Sequence, residues 1–159
     1  MKERFILVVD DDMGSREMLR DCLERIGYSV VDAADGEEAL KRFVPGKFEV
    51  VLSDIVMPGI SGIDLFRRIK SQDENVVFIL ITGHPNIEDA VRAIQNGAYD
   101  YITKPFRFED LKIKIDRAAE ARRMDSSFRK VSGVMWALLI SIPLWIVLGI
   151  VLGFVWRWF

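Results

Sequence analysis

Acidic and hydroxyl side chains gather at the ends of apolar runs in this 159-residue chain. Asp10, Asp11 and Asp12 close the run 4–9, and Asp54 follows the run 49–53. The run 76–81 ends on Thr82, and the run 98–102 ends on Thr103 and Lys104. Carboxylates crowded at one place repel, so they raise one another's pKa values or draw in a counter-charge. A hard divalent cation such as Mg²⁺ suits them, because it takes oxygen ligands, keeps several waters and is held by one or two carboxylates plus a substrate phosphate. In this reading Asp11 and Asp54 are the direct ligands, with Asp10 behind them or on a metal-bound water. Lys104 supplies a point charge for a phosphate oxygen, and Thr82 a hydroxyl donor. Such a set can stabilise a phosphoryl group in transfer to a carboxylate nucleophile, which is catalysis by positioning and charge.

The elements between these points must bring them together. Short runs rich in strand formers predict strands over 4–9, 28–33, 49–53, 76–81 and 98–102. Helical spacing of apolar residues predicts helices over 15–26, 36–43, 62–71, 87–96 and 108–123. Five strands each followed by a helix imply an α/β fold with a parallel sheet and helices on both faces. Ligands of such sheets bind beyond the carboxyl ends of the strands, where four of the five runs deliver a charged or hydroxyl residue. Some polar residues nearby have structural work instead. Asp12 is placed to cap the first helix, Met57-Pro58-Gly59 reads as a turn, and Ser61 with Asp64 reads as a capping box.

The segments Val8-Val9-Asp10-Asp11, Ser53-Asp54-Ile55-Val56-Met57-Pro58-Gly59-Ile60-Ser61-Gly62, Ile81-Thr82-Gly83 and Tyr101-Ile102-Thr103-Lys104-Pro105-Phe106 stand in that order. Together they resemble the receiver domain of bacterial two-component response regulators, over residues 3 to about 122. The resemblance implies a flavodoxin-like, doubly wound five-stranded parallel sheet of order 2-1-3-4-5. It implies Asp54 as phosphoacceptor, with Thr82 and Lys104 assisting, and Mg²⁺ held by Asp10, Asp11, Asp54 and the backbone carbonyl of Val56. Thr82 and Tyr101 would form the switch, read out on the face of the helix over 87–96, the fifth strand and the last helix. The donor would be a histidine kinase or phosphotransfer protein, and the bond before Pro105 would be cis. No enzyme activity is implied beyond the domain's own phosphorylation and dephosphorylation. An aspartate-dependent phosphohydrolase would need a second Asp two residues after the nucleophile, where Val56 stands. A receiver fold acting only as an interaction module at the membrane, without phosphoryl transfer, is the alternative, and the retained acids and Lys104 speak against it.

Half of the residues are hydrophobic while 29% are charged, so the composition must change along the chain. Val134 to Trp156 is a run of 23 residues without Asp, Glu, Lys, Arg or His. As a helix rising about 1.5 Å per residue it spans roughly 35 Å, enough for a hydrocarbon core of about 30 Å. Trp136, Trp156 and Trp158 lie near its ends, where indoles favour the interface. Arg117, Arg122, Arg123, Arg129 and Lys130 precede it and only Arg157 follows, which orients the N-terminal domain to the cytoplasm. The expected organisation is a receiver domain over 1–124, a juxtamembrane linker over 125–133 and a transmembrane helix over 134–156, in the cell membrane with a single pass. Gly149 and Gly153 have the spacing that lets membrane helices approach closely, a route to a homodimer. A net charge of −2 gives no basic field, so nucleic acid is not an expected partner. Cys22 reads as a buried, reduced thiol on an apolar helix face, and His84 as a solvent-facing loop residue.

Overall fold

The computed structural model describes residues 4–83, 94–95 and 97–124. They lie almost wholly in the first of the chain's two units, Met1–Arg122. The run 134–156, Gly149 and Gly153, His84 and most of the helix expected over 87–96 fall outside the described residues. Among the described residues no helix is long and apolar enough to cross a membrane.

Five strands form the sheet: β1 (Phe5–Val9), β2 (Ser29–Ala33), β3 (Phe48–Asp54), β4 (Val77–Thr82) and β5 (Asp100–Thr103). Every pairing is parallel and the order is β2-β1-β3-β4-β5, as expected of a flavodoxin-like fold. Side chains alternate across a strand, so apolar runs serve two cores at once. Leu7, Val9, Val51, Phe78 and Leu80 face one layer, with Ala39 of α2 (Gly36–Arg42) and Leu65, Phe66 and Ile69 of α3 (Gly62–Gln72). Ile6, Val8, Val50, Leu52, Ile79 and Ile81 face the other, with Leu19 and Leu23 of α1 (Met13–Arg25) and Leu111, Ile115, Ala118 and Ala119 of the closing helix, 108–124. Cys22 is half-buried against this second core rather than fully buried, and its burial pushes the thiol pKa up.

The helix starts are fixed by their caps. Asp12 accepts the Ser15 amide at 2.7 Å, which draws α1 two residues closer to the acids than the apolar spacing alone predicts. Ser61 caps α3 with its hydroxyl accepting the Asp64 amide at 3.2 Å. Asp64 returns the contact to the Ser61 hydroxyl at 2.9 Å, not to the backbone amide that a full capping box would use.

Candidate functional site

The chain order reverses at β1, which pairs with β2 on one side and β3 on the other, so β1 and β3 end next to each other, and the crevice of an open sheet lies at that point. Asp10 follows β1 directly, and its amide donates to the Ala33 carbonyl of β2 at 3.3 Å. Asp54 is the last residue of β3 and Thr82 the last of β4. All three are buried, with relative exposures of 1%, 8% and 4%. Sheet pairing carries the strands this far, because Asp54 pairs with Ile81 and Thr82 with Thr103. The next residue after β5 is Lys104, whose amide donates to the Thr82 carbonyl at 2.7 Å. The Lys104–Pro105 bond is cis, as the resemblance implies.

Lys104 reaches across three strands. Its Nζ donates to Asp10 Oδ2 at 2.6 Å and to Asp54 Oδ2 at 2.7 Å. Burial pulls the ammonium pKa down, but the hydrogen bonds and charges of Asp10 and Asp54 outweigh that and leave it above the ordinary lysine value. The other Asp54 oxygen, Oδ1, accepts the Val56 amide at 3.0 Å. Asp10 is held from three directions: Oδ2 also accepts the Ser15 hydroxyl at 2.6 Å, and Oδ1 accepts the Asp12 amide at 3.0 Å. Asp11 stands exposed at the rim. Tyr101 of β5 packs partly buried against the first core, and its carbonyl accepts Lys114 Nζ at 3.0 Å.

The structure thus joins Asp10, Asp54 and Lys104 by direct contact and sets Thr82 beside them. It brings Val56 to Asp54 by its amide. Sequence reasoning missed Ser15, which lies under Asp10 because the helix begins at Met13, and Arg16, whose guanidinium touches the acid loop. Gly62 is a further requirement: a Cβ there would sit 2.0 Å from the Asp54 carbonyl oxygen, so only glycine lets α3 start this close to β3.

Among the described residues no three carboxylates, histidines or cysteines close into a cage for a metal. Mg²⁺ does not require one, since it is held by one or two carboxylates and keeps several waters. The available donors are all oxygen, from Asp10, Asp11 and Asp54, which fits a hard cation.

A five-stranded parallel sheet with acids at the β1/β3 crevice and a lysine from the end of β5 defines a class, the phosphoryl-accepting receiver domains. The chain belongs to the response regulator receiver domain family, whose pattern it matches over residues 6–116. It is 39% identical over 139 residues to the C4-dicarboxylate transport transcriptional regulatory protein DctD of Rhizobium meliloti, covering 87% of this chain and 30% of the relative. The DctD of Pseudomonas aeruginosa is 42% identical over 122 residues, 75% of this chain and 26% of the relative. The receiver domain of NtrX from Brucella abortus superposes with a TM-score of 0.69 at 38% identity, over 72% of this chain and 98% of that one. A receiver domain from Clostridium thermocellum does so with a TM-score of 0.73 at 32% identity, over 76% of this chain and 98% of that one. The chain spans less than a third of the length of the two DctD proteins. Both relatives are named as transcriptional regulators, so the expectation that nucleic acid is no partner finds no support in them.

Proposed function

We propose that this receiver accepts a phosphoryl group on Asp54 from a histidine kinase or phosphotransfer protein, and that the run 134–156 anchors it in a membrane. The observation that carries the first part is the Lys104 ammonium placed between Asp10 and Asp54, at 2.6 and 2.7 Å. An Asp54 oxygen attacks phosphorus, forming an O–P bond as the donor's P–N bond breaks and its electron pair returns to the imidazole nitrogen. Lys104 exchanges its contact with the Asp54 carboxylate for one with a phosphoryl oxygen, and keeps Asp10. The Thr82 hydroxyl donates to a second oxygen. Mg²⁺, held by Asp11, Asp54 and the Val56 carbonyl with Asp10 behind, would supply the positive charge that offsets the transferring group. Thr82 and Tyr101, on the paired strands β4 and β5, then shift in response to the new charge at Asp54 and relay that change to the face of β5 and the closing helix.

The test uses the full chain with acetyl phosphate and Mg²⁺, read by intact mass. One phosphoryl addition is expected in the wild type and none in Asp54→Asn. Equal labelling of the variant would move the acceptor elsewhere.

A further inference from the structure

Arg16 makes contacts that neither the sheet nor the proposed chemistry explains. It is the fourth residue of α1, and side chains on a helix lean back toward its N-terminus. Its guanidinium therefore lies over the loop that leaves β1. Nη1 donates to the Asp10 carbonyl at 2.7 Å and to the Asp11 carbonyl at 3.1 Å. On its other side, Nε stands 3.8 Å from Asp32 Oδ2 on β2. Asp32 is in turn paired with Arg20, and Arg42 Nη1 donates to its carbonyl at 2.6 Å. The Arg16 side chain is only 16% exposed.

We propose that Arg16 is a positioning residue for the cation site, one that fixes the peptide planes of Asp10 and Asp11 and so aims the Asp11 carboxylate. The proposal rests on the reading that Asp11 is a Mg²⁺ ligand. Asp11 has left the sheet and precedes the helix cap, so ladder hydrogen bonds do not orient it. One planar guanidinium bonded to two successive carbonyls does, and Asp32 holds that guanidinium from behind. A lysine offers a single point charge and cannot span the two carbonyls and Asp32 together. Asp32 has a second effect: it offsets a cation that would otherwise repel Mg²⁺ through its bare charge.

These two effects have opposite signs, which makes the role measurable. If Arg16 acted only as a charge, its removal would tighten Mg²⁺ binding. If it aims Asp11, removal weakens binding, by about tenfold as is typical when the groups supporting a metal ligand are lost.

Mg²⁺ affinity of the full chain is measured by calorimetric titration, with thermal unfolding alongside. Arg16→Gln is expected to weaken Mg²⁺ about tenfold. Arg16→Lys, which keeps the charge and loses the fork, is expected to weaken it in the same direction and serves if the first variant does not fold. Asp32→Asn weakens it too, but adds nothing in the Arg16→Gln background, because it acts through the guanidinium. Excess Mg²⁺ restores labelling by acetyl phosphate in Arg16→Gln. Tighter binding, or an unchanged affinity with a lowered melting temperature, overturns the proposal. Asp11→Ala separates the two readings: affinity unchanged there means the metal reading itself has failed, and the inference falls with it. Affinity lost in Asp11→Ala but intact in Arg16→Gln refutes only the inference.

Discussion

At the scale of single residues, Lys104 is what allows two buried carboxylates to face one another. Asp10 and Asp54 are 1% and 8% exposed, and each gives one oxygen to the same ammonium. Lys104→Met leaves both acids without that cation, and breaking such a pair leaves uncompensated charge in a poorly hydrated place. A loss of about 1–3 kcal/mol is expected at neutral pH without divalent cations, the range for leaving a buried polar group without its partner. Asp54→Asn in the Lys104→Met background should return part of it, since one of the two repelling charges is gone. Urea denaturation of the four proteins in this cycle checks the coupling; additive losses would mean that Lys104 stabilises by packing alone. The sign of the pH dependence follows from the raised lysine pKa. The contribution is complete below the ordinary value of 10.5 and disappears only as pH rises through the raised one. Asp10, Asp54, Thr82 and Lys104 were legible in the sequence because each ends an apolar run. Ser15 and Arg16 were not, because their reach back to Asp10 depends on where α1 starts, and that start is set by the Asp12 cap rather than by apolar spacing.

At the scale of elements, apolar runs located the five strands, but sheet pairing carries β3 and β4 one residue further, onto Asp54 and Thr82. A polar side chain ends a hydrophobic pattern without ending a backbone ladder, so sequence alone stops β3 and β4 just short of their candidate site residues. Contacts between distant elements are less legible still. Asp73, at the end of α3, accepts Arg122 Nη2 of the closing helix at 2.8 Å and the Gly46 amide at 3.0 Å. Nothing in the spacing of these residues announces the contact. The two side chains are 9% and 12% exposed, and Arg122 Nη1 is buried without a hydrogen-bond partner among the described residues. Burial alone would raise the Asp73 pKa, but Arg122 and the Gly46 and Asn75 amides prevail and lower it from 3.8. A depressed carboxylate pKa contributes stability above its unfolded value and loses it as pH falls through the folded one. Asp73→Asn should therefore cost about 1.5–3 kcal/mol at pH 7, the range for hydrogen bonds to a charged group. The gap to wild type should narrow as the pH is taken below 3.8 and through the lowered pKa. Denaturant unfolding at neutral and acid pH measures both points; a gap independent of pH would assign the loss to packing rather than to charge.

At the scale of the whole molecule, the question is whether switching and membrane attachment are separable. Every site side chain comes from residues 10–104, and the contact of Asp73 with Arg122 ties down the closing helix before the described residues end at 124. The run Val134 to Trp156, with no charged residue in 23, carries the proposed anchor by itself. A chain stopped after Met124 should therefore label with acetyl phosphate and Mg²⁺ at the rate of the full chain, because no group of the site has been removed. Its distribution should change completely. A single uncharged helix long enough for the hydrocarbon core resists alkaline carbonate, whereas a domain held by basic residues on headgroups contributes only about 1 kcal/mol per charge and is released. The full chain is expected in the carbonate pellet and the shortened one in the supernatant. A shortened chain that still pellets would place the attachment within the receiver. A full chain that washes off would remove the anchor while leaving phosphoryl acceptance at Asp54 untouched, since the two claims rest on different residues.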